Sequence, residues 1–334
     1  MIRKSPASDP QPFKGLTPEV VLDAAAAFGL DPDGRLFALN SYENRVYQLH
    51  AGERILVLKF YRPARWSDAQ ILEEHTFTAE LAGAELPVAS PLVFDGLTLL
   101  RYHEFRFACF PWLRGRAPEL DAPQARQLLG RTLARLHQVG ARRPFLVRPR
   151  IGIERFGWEA RAQVLASPLL PEALAERYAT VSGALLERVT AGFAAAGEVG
   201  AIRLHGDCHL GNLLWNEQGP AFVDLDDCAM GPRIQDLWMM LSGSAPEQQR
   251  QWGELLEGYS QFADFDLREL ALIEPLRALR MLHHAAWVAH RWNDPAFPRA
   301  FPWIGEPRYW EGYVQDLLEQ IEAIDDPPLL QGRA

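Results

Sequence analysis

One run of this chain constrains it more than any other: LHGDCHLGNLLWNEQGPAFVDLDDCAMGPRIQDLW, residues 204–238. It places Asp207, then Asn212 five residues on, then Asp224 after LLWNEQGPAFVDL, which reads as a β-hairpin. Two carboxylates and a carboxamide in that order suit phosphoryl transfer. One carboxylate accepts or orients the proton of an acceptor hydroxyl, while the amide and the second carboxylate hold magnesium against the phosphates. Magnesium takes hard oxygen ligands and retains waters, so one carboxylate and one amide oxygen suffice from the protein. The second hairpin strand is expected to deliver Asp224 beside the metal.

The Asp-to-Asn spacing equals that of the H-R-D-L-x-x-x-N loop of kinases, with His205 in the matching place. Gly206 stands where the arginine would be, so the cation that reads a phosphorylated activation loop is missing. The segment between Asp224 and Asp236 is short and has no A-P-E, and control by activation-loop phosphorylation is not expected. Asp236 opens IQDLWMM, where it either bonds back to the catalytic loop or answers the helix dipole.

Upstream, Lys59 sits inside an apolar strand, VLKFY, where a charge is costly without a partner. The helix that follows carries Glu73 and Glu74, either of which is placed to pair with it. Kinases use such a pair to set the amine on the α- and β-phosphates of ATP. A glycine-rich phosphate loop is absent. Between the first two strands lies NSYENR, residues 40–45, where backbone amides and the Ser41 hydroxyl are the candidate phosphate contacts.

The surrounding pattern predicts an α+β chain with a two-lobed, protein-kinase-like fold: a small β-rich lobe followed by a larger helical one. Residues 1–14 read as a flexible tail, 15–112 as the β-rich lobe and 113–334 as the helical lobe, with the catalytic loop at 204–213 and the metal-binding segment at 222–227. Thr17 and Pro18 start a helix that Gly29 stops. FALN, VYQLH, RILVLKF, LPVASPLVF and FRFACFPWL are strand-like, and a helix runs from about 67 to 82. IQDLWMMLSG, QWGELLEGYSQF and LIEPLRALRMLHHAAWVAHRW are helical, and WNDPAFPRAFPWIGEPRYW reads as an aromatic, Pro-rich loop packed over the helical lobe. ATP is expected between the lobes, with backbone at 109–112 bonding adenine.

Charge narrows the partners. With 43 acidic against 34 basic residues, a formal charge of −9 suits non-specific nucleic-acid binding poorly. Three cysteines are too few for a disulfide framework, the N-terminus lacks a signal-peptide apolar core, and no apolar run approaches the roughly 20 residues that span a bilayer. A cytoplasmic protein with no membrane insertion is expected. His283, His284 and His290 share one helix without a zinc motif, so packing and surface roles are expected. Cys208, beside Asp207, reads as a small buried residue.

The HGDxHxGN run with the downstream VDLDD and QDLW resembles the aminoglycoside phosphotransferase and choline kinase superfamily of kinase-like enzymes. More closely, NSYENRVYQ, VLKFYRP, ILEEH, RLHGDCHLGN, FVDLDD, GPRIQDLWMM and IEPLRALR resemble the bacterial stress response kinase A family, in the same order from about residue 15 to 330. The resemblance implies a Ser/Thr protein kinase that autophosphorylates and acts in envelope-stress responses and survival. It also implies Asp207 as catalytic base, Asn212 and Asp224 as magnesium ligands with Asp224 part of the active centre, Ser41 as an ATP contact, Lys59 as the phosphate-binding lysine and Glu74 as its partner.

The expected activity is therefore ATP- and magnesium-dependent transfer to Ser or Thr hydroxyls of a protein. The alternatives are a small-molecule alcohol kinase, with an aminoglycoside, choline-like or homoserine acceptor, and a nucleotide-binding scaffold without transferase activity. A choline-like acceptor would want an aromatic cage, for which Trp287, Trp292, Trp303 and Trp310 are candidates.

Overall fold

The computed structural model describes residues 11–326. Residues 1–10 of the expected tail lie outside the described residues. Residues 11–14 form a turn rather than a loose end, because the Phe13 ring stacks 4.6 Å from the Arg45 guanidinium.

Helix α1 (Pro18–Ala27) begins as its sequence dictates, with the Thr17 hydroxyl accepting from the Val20 amide and proline at the first turn, where its missing N–H costs nothing. Strands β1 (Pro32–Ala38), β2 (Arg45–Ala51) and β3 (Arg54–Phe60) follow. With β4 (Leu100–Tyr102) and β5 (Phe105–Pro111) they make an antiparallel sheet in the order β1-β2-β3-β5-β4. Pairing of Leu58 with Cys109 and of Lys59 with Ala108 makes β3 the central strand. Val21, Ala24, Leu49, Leu58, Phe60 and Phe107 fill the space between α1 and the sheet, with Phe60 stacked on Phe107 at 5.0 Å. The β1 strand starts five residues earlier than FALN suggests, because an irregularity between Pro32 and Leu36 hides its alternation.

Helix α2 (Asp68–Gly83) is fixed by a reciprocal cap: Ser67 Oγ accepts from the Gln70 amide and Gln70 Oε1 accepts from the Ser67 amide. The run LPVASPLVF forms no strand. Pro87 and Pro91 cannot donate to a ladder, and the segment instead bridges to the larger lobe, with the Phe222 amide donating to the Pro87 carbonyl at 2.8 Å.

The larger lobe is built from α3 (Pro123–Gly140), a π-helical turn at Glu154–Glu159 running into α4 (Ala160–Leu165), α5 (Glu172–Ala196), α6 (Gln235–Trp238), α7 (Ala245–Tyr259), α8 (Ile273–Arg291), α9 (Ala296–Ala300) and α10 (Pro307–Asp325). Two small antiparallel pairs interrupt the helices, β6 (Ile202–Leu204) with β9 (Ala229–Gly231) and β7 (Leu213–Asn216) with β8 (Gly219–Phe222). IQDLWMMLSG yields only the single turn of α6, since Gly243 enters the left-handed region at φ +86° and Gln251 bonds both backbone groups of Ser242. The Pro-rich 292–310 stretch is not a loop. It holds α9, a 3₁₀ turn at Pro302–Gly305 and the start of α10, since proline is tolerated in a first helical turn. Trp310 is thereby fully buried against α5 and α8. Among the described residues no helix is long and apolar enough to cross a membrane.

Candidate active site

Strand β6 leads straight into the HGDCHLGN loop, and buried groups fix that loop from below. Asp236, fully buried, accepts from the His205 amide at 2.8 Å and the Gly206 amide at 2.9 Å, one oxygen to each. The His205 ring is also buried and meets the Val223 carbonyl at 3.0 Å. Gly206 lies at φ +86°, and a Cβ there would sit 2.2 Å from the Asp227 carbonyl oxygen, so neither arginine nor any other side chain fits without moving the loop. Gly206→Ala is expected to destabilise the fold by about 1–3 kcal/mol and to depress transfer with it. Thermal denaturation beside a transfer assay checks this.

Asp207 emerges from this support into an open cavity. Burial works against its charge, but the His209 contact at 3.4 Å and the Arg280 guanidinium outweigh it and hold the carboxyl well below the usual carboxylate range. The Asn212 amide donates to the Asp207 carbonyl at 3.0 Å, which commits its nitrogen and leaves its oxygen available. Asp224 takes the left-handed conformation, φ 57° and ψ 63°, just past β8, and its side chain is 54% exposed.

Lys59 meets three carboxylates: Asp224 at 3.0 Å, Asp226 at 3.1 Å and Glu74 at 3.6 Å. Burial alone would lower the lysine's pKa, and these three charges raise it well above the ordinary value. Burial drives Glu74 up to about 7, because its lysine is shared with two nearer carboxylates and offsets the penalty only in part. Glu73 points elsewhere, accepting from the amides of Leu146, Val147 and Arg148. It thus ties α2 to the larger lobe.

Several site residues were not apparent from the sequence. Asp226, 2% exposed, pairs with Arg65 as well as Lys59 and accepts from the Asn44 amide at 3.1 Å. Glu43 is buried against Arg62 at 3.0 Å, Arg291 at 2.9 Å and the Trp287 indole N–H at 2.6 Å. Residues 40–44 are therefore clamped onto the C-terminal part of α8, with Ser41 half-buried on the cavity wall. The second acidic residue of VDLDD and the arginine after VLKFYRP were the available signals, but the pair is separated by 161 residues.

A cavity of about 490 Å³ joins these groups. Ser41, Asn44, Asp207, Asn212, Asp224 and Asp226 line it together with Arg155, Phe156, Arg280, His283, Trp287 and Phe301, and Arg280 is bonded to Asp207. Burial, then Arg155, Arg65 and Arg280, lower His283 to about 4, so it is a neutral wall residue. Segment 109–112 does not line this cavity. The Cys109 carbonyl already accepts from Leu92 at 2.7 Å, the Trp112 amide donates to Ile55 at 3.3 Å, and Pro111 has no N–H. Cys208 is fully buried, and burial pushes its thiol up, so it lacks the thiolate character of a reactive cysteine.

The donor set fits magnesium. Asn212 and Asp224 offer hard oxygens on one cavity wall, one of them freed by the amide bond to Asp207, with Lys59 adjacent for phosphate charge.

Residues 36–273 match the phosphotransferase enzyme family. Over 318 residues the chain is 45% identical to the stress response kinase A of Salmonella typhi, covering 95% of this chain and 96% of that protein. The same identity and coverage hold for the serine/threonine protein kinase RdoA of Salmonella typhimurium. Among solved structures, the amicoumacin kinase hAmiN in complex with AMP-PNP and Ca2+ superposes with a TM-score of 0.70 at 19% identity, covering 94% of this chain and 95% of that one. That likeness extends to the fold. With its family profile matched and near-full-length relatives at this identity, the chain belongs to the phosphotransferase enzyme family and, within it, to the stress response kinase A family.

Proposed function

We propose that this phosphotransferase moves the γ-phosphoryl group of magnesium-bound ATP onto Ser or Thr hydroxyls of proteins, itself included, in a cytoplasmic stress response. The observation that carries the reading is the convergence of Asp207, Asn212 and Asp224 on one cavity, with Lys59 bonded to Asp224 at 3.0 Å from behind its wall. In this reading Asp207 takes the hydroxyl proton as the acceptor oxygen bonds to the γ-phosphorus and ADP departs. Asn212 and Asp224 hold magnesium, which when bound neutralises charge on the phosphates. Lys59, kept in place by Glu74 and Asp226, meets the phosphates, and Ser41 contacts them from the 40–44 segment. The lobe boundary falls near residue 112.

The relatives' names favour a protein acceptor. A small alcohol stands as the second reading because amicoumacin kinase shares the fold. Polycationic aminoglycosides fit poorly against Arg155 and Arg280. A tryptophan cage is not assembled: Trp287 lines the cavity, while Trp310 is fully buried in the helical core and Trp303 is 53% exposed. Incubation with labelled ATP and magnesium, with generic protein in one arm and hydroxylated metabolites in the other, is expected to label the generic protein and the enzyme. Saturable turnover of one small alcohol with no labelled protein would reject the protein-kinase reading and leave the phosphotransferase site standing.

A further inference from the structure

Arg155 is a cation that the catalytic machinery does not use. It sits on the π-helical turn Glu154–Glu159, a geometry rare in proteins and frequent at functional sites. The turn is held tightly. A Cβ on Gly157 would come within 2.5 Å of Leu186, and the Phe156 ring packs on His283 at 4.3 Å. Arg155 is exposed at the cavity edge, stacked 5.7 Å from the Trp66 ring, and among the described residues it has no ion-pair partner within 4 Å.

Arg280 approaches the same space from α8, bonded to Asp207 with its side chain still 42% exposed. Of the cavity's other carboxylates, Asp224 is tied to Lys59, Asp226 and Asp227 to Arg65, and Glu43 to Arg62 and Arg291. Arg280 and Arg155 thus bring positive charge to the cavity beside the base, in a chain whose formal charge is −9. Arg280 and His284 also line a shallower depression of about 250 Å³ with Arg277, Met281, Tyr313 and Asp316, so there is room for chain beyond the reacting hydroxyl.

We propose that the acceptor is an acidic segment: a Ser or Thr flanked by Asp or Glu side chains, which Arg155 and Arg280 read while Asp207 engages the hydroxyl. This rests on the protein-kinase reading above. A planar guanidinium on which Glu159 and Asp227 act only from beyond ion-pair distance is suited to bidentate capture of an incoming carboxylate. A basic flank would instead meet two like charges in a partly desolvated cleft. Arg155 is a specificity-determining residue in this scheme, and Arg280 couples the acceptor's charge to the base it already touches.

The test uses the full chain and three peptides that differ only in the residues flanking one Ser: Glu, Ala or Lys. The wild type is expected to favour the Glu peptide over the Ala peptide by about tenfold in kcat/KM, mostly through KM, and to disfavour the Lys peptide. Arg155→Lys should keep the order. Arg155→Glu should erase the Glu preference and improve the Lys peptide, a swap that loss of folding cannot produce. Phosphorylation indifferent to flanking charge, or a basic preference in the wild type, overturns the proposal while the protein-kinase reading survives. So does an Arg155→Glu effect confined to the KM for ATP, which would assign the cation to the nucleotide. If no peptide is labelled and a small alcohol is, both fall together.

Discussion

Asp207→Asn is expected to lower phosphoryl transfer by about 10²–10⁴, the usual contribution of a positioned general base. The substitution keeps the shape of the side chain and removes its ability to take a proton. Its structural cost should be small. The carboxylate is one-quarter exposed and its partner Arg280 is 42% exposed, a setting in which an ion pair contributes about 0–1 kcal/mol. Magnesium-ATP affinity should change little, because Asp207 faces the acceptor side of the cavity while Lys59, Asn212 and Asp224 remain. Steady-state transfer, nucleotide titration and melting temperature measured together separate these effects. Transfer near the wild-type rate would remove Asp207 from the role of base, whatever the other two readings gave.

What could be read in the sequence follows from how locally each role is encoded. The loop from His205 to Asn212 was legible because its chemistry sits within one turn of chain, and Lys59 because a charge inside VLKFY contradicts its apolar surroundings. Asp236 was legible as support for the loop, and it bonds two loop amides. Glu73 and Glu74 are neighbours in sequence but lie on different sides of α2, so only their rotation about the helix axis decides which meets Lys59. The Asp226–Arg65 and Glu43–Arg291 pairs were beyond reach, because nothing within either local segment marks its distant partner. Arg280 was hidden for a related reason: an arginine in an amphipathic helix looks like any solvated face. The π-helical turn breaks the 3.6-residue period by which helices are found. The 292–310 stretch was misread as a loop because proline marks both loops and helix first turns, and the buried Trp310 distinguishes them only after folding.

Asp224 and Asp226, two residues apart and both paired with Lys59, are expected to fail in opposite ways. Asparagine is the informative replacement at both. It keeps the volume, and at Asp224 it also tolerates the left-handed backbone at φ 57° that alanine would strain. Asp224 is half-exposed, and Lys59 retains Asp226 and Glu74 without it. Asp224→Asn should therefore leave the melting temperature nearly unchanged while transfer falls by about 10²–10³, the scale for losing one group that stabilises transferring charge. Its residual activity should need more magnesium. Asp226 is buried between Lys59 and Arg65, whose side chains are 7% and 14% exposed. Asp226→Asn leaves both cations short of compensating charge in the interior, which costs about 3–5 kcal/mol. At about 2.1 cal/mol/K of unfolding entropy per residue, this is a fall of roughly 4–7 °C in melting temperature. Activity should fall as well, because the 40–44 segment loses its Asn44 bond and Lys59 loses a support, but the magnesium requirement should hold. Melting curves and magnesium titrations on the two variants decide the matter. A shared magnesium phenotype would make Asp226 a ligand, and a shared loss of stability would make Asp224 part of the scaffold. Only the crossed result separates a carboxylate that holds the metal from one that holds the lysine.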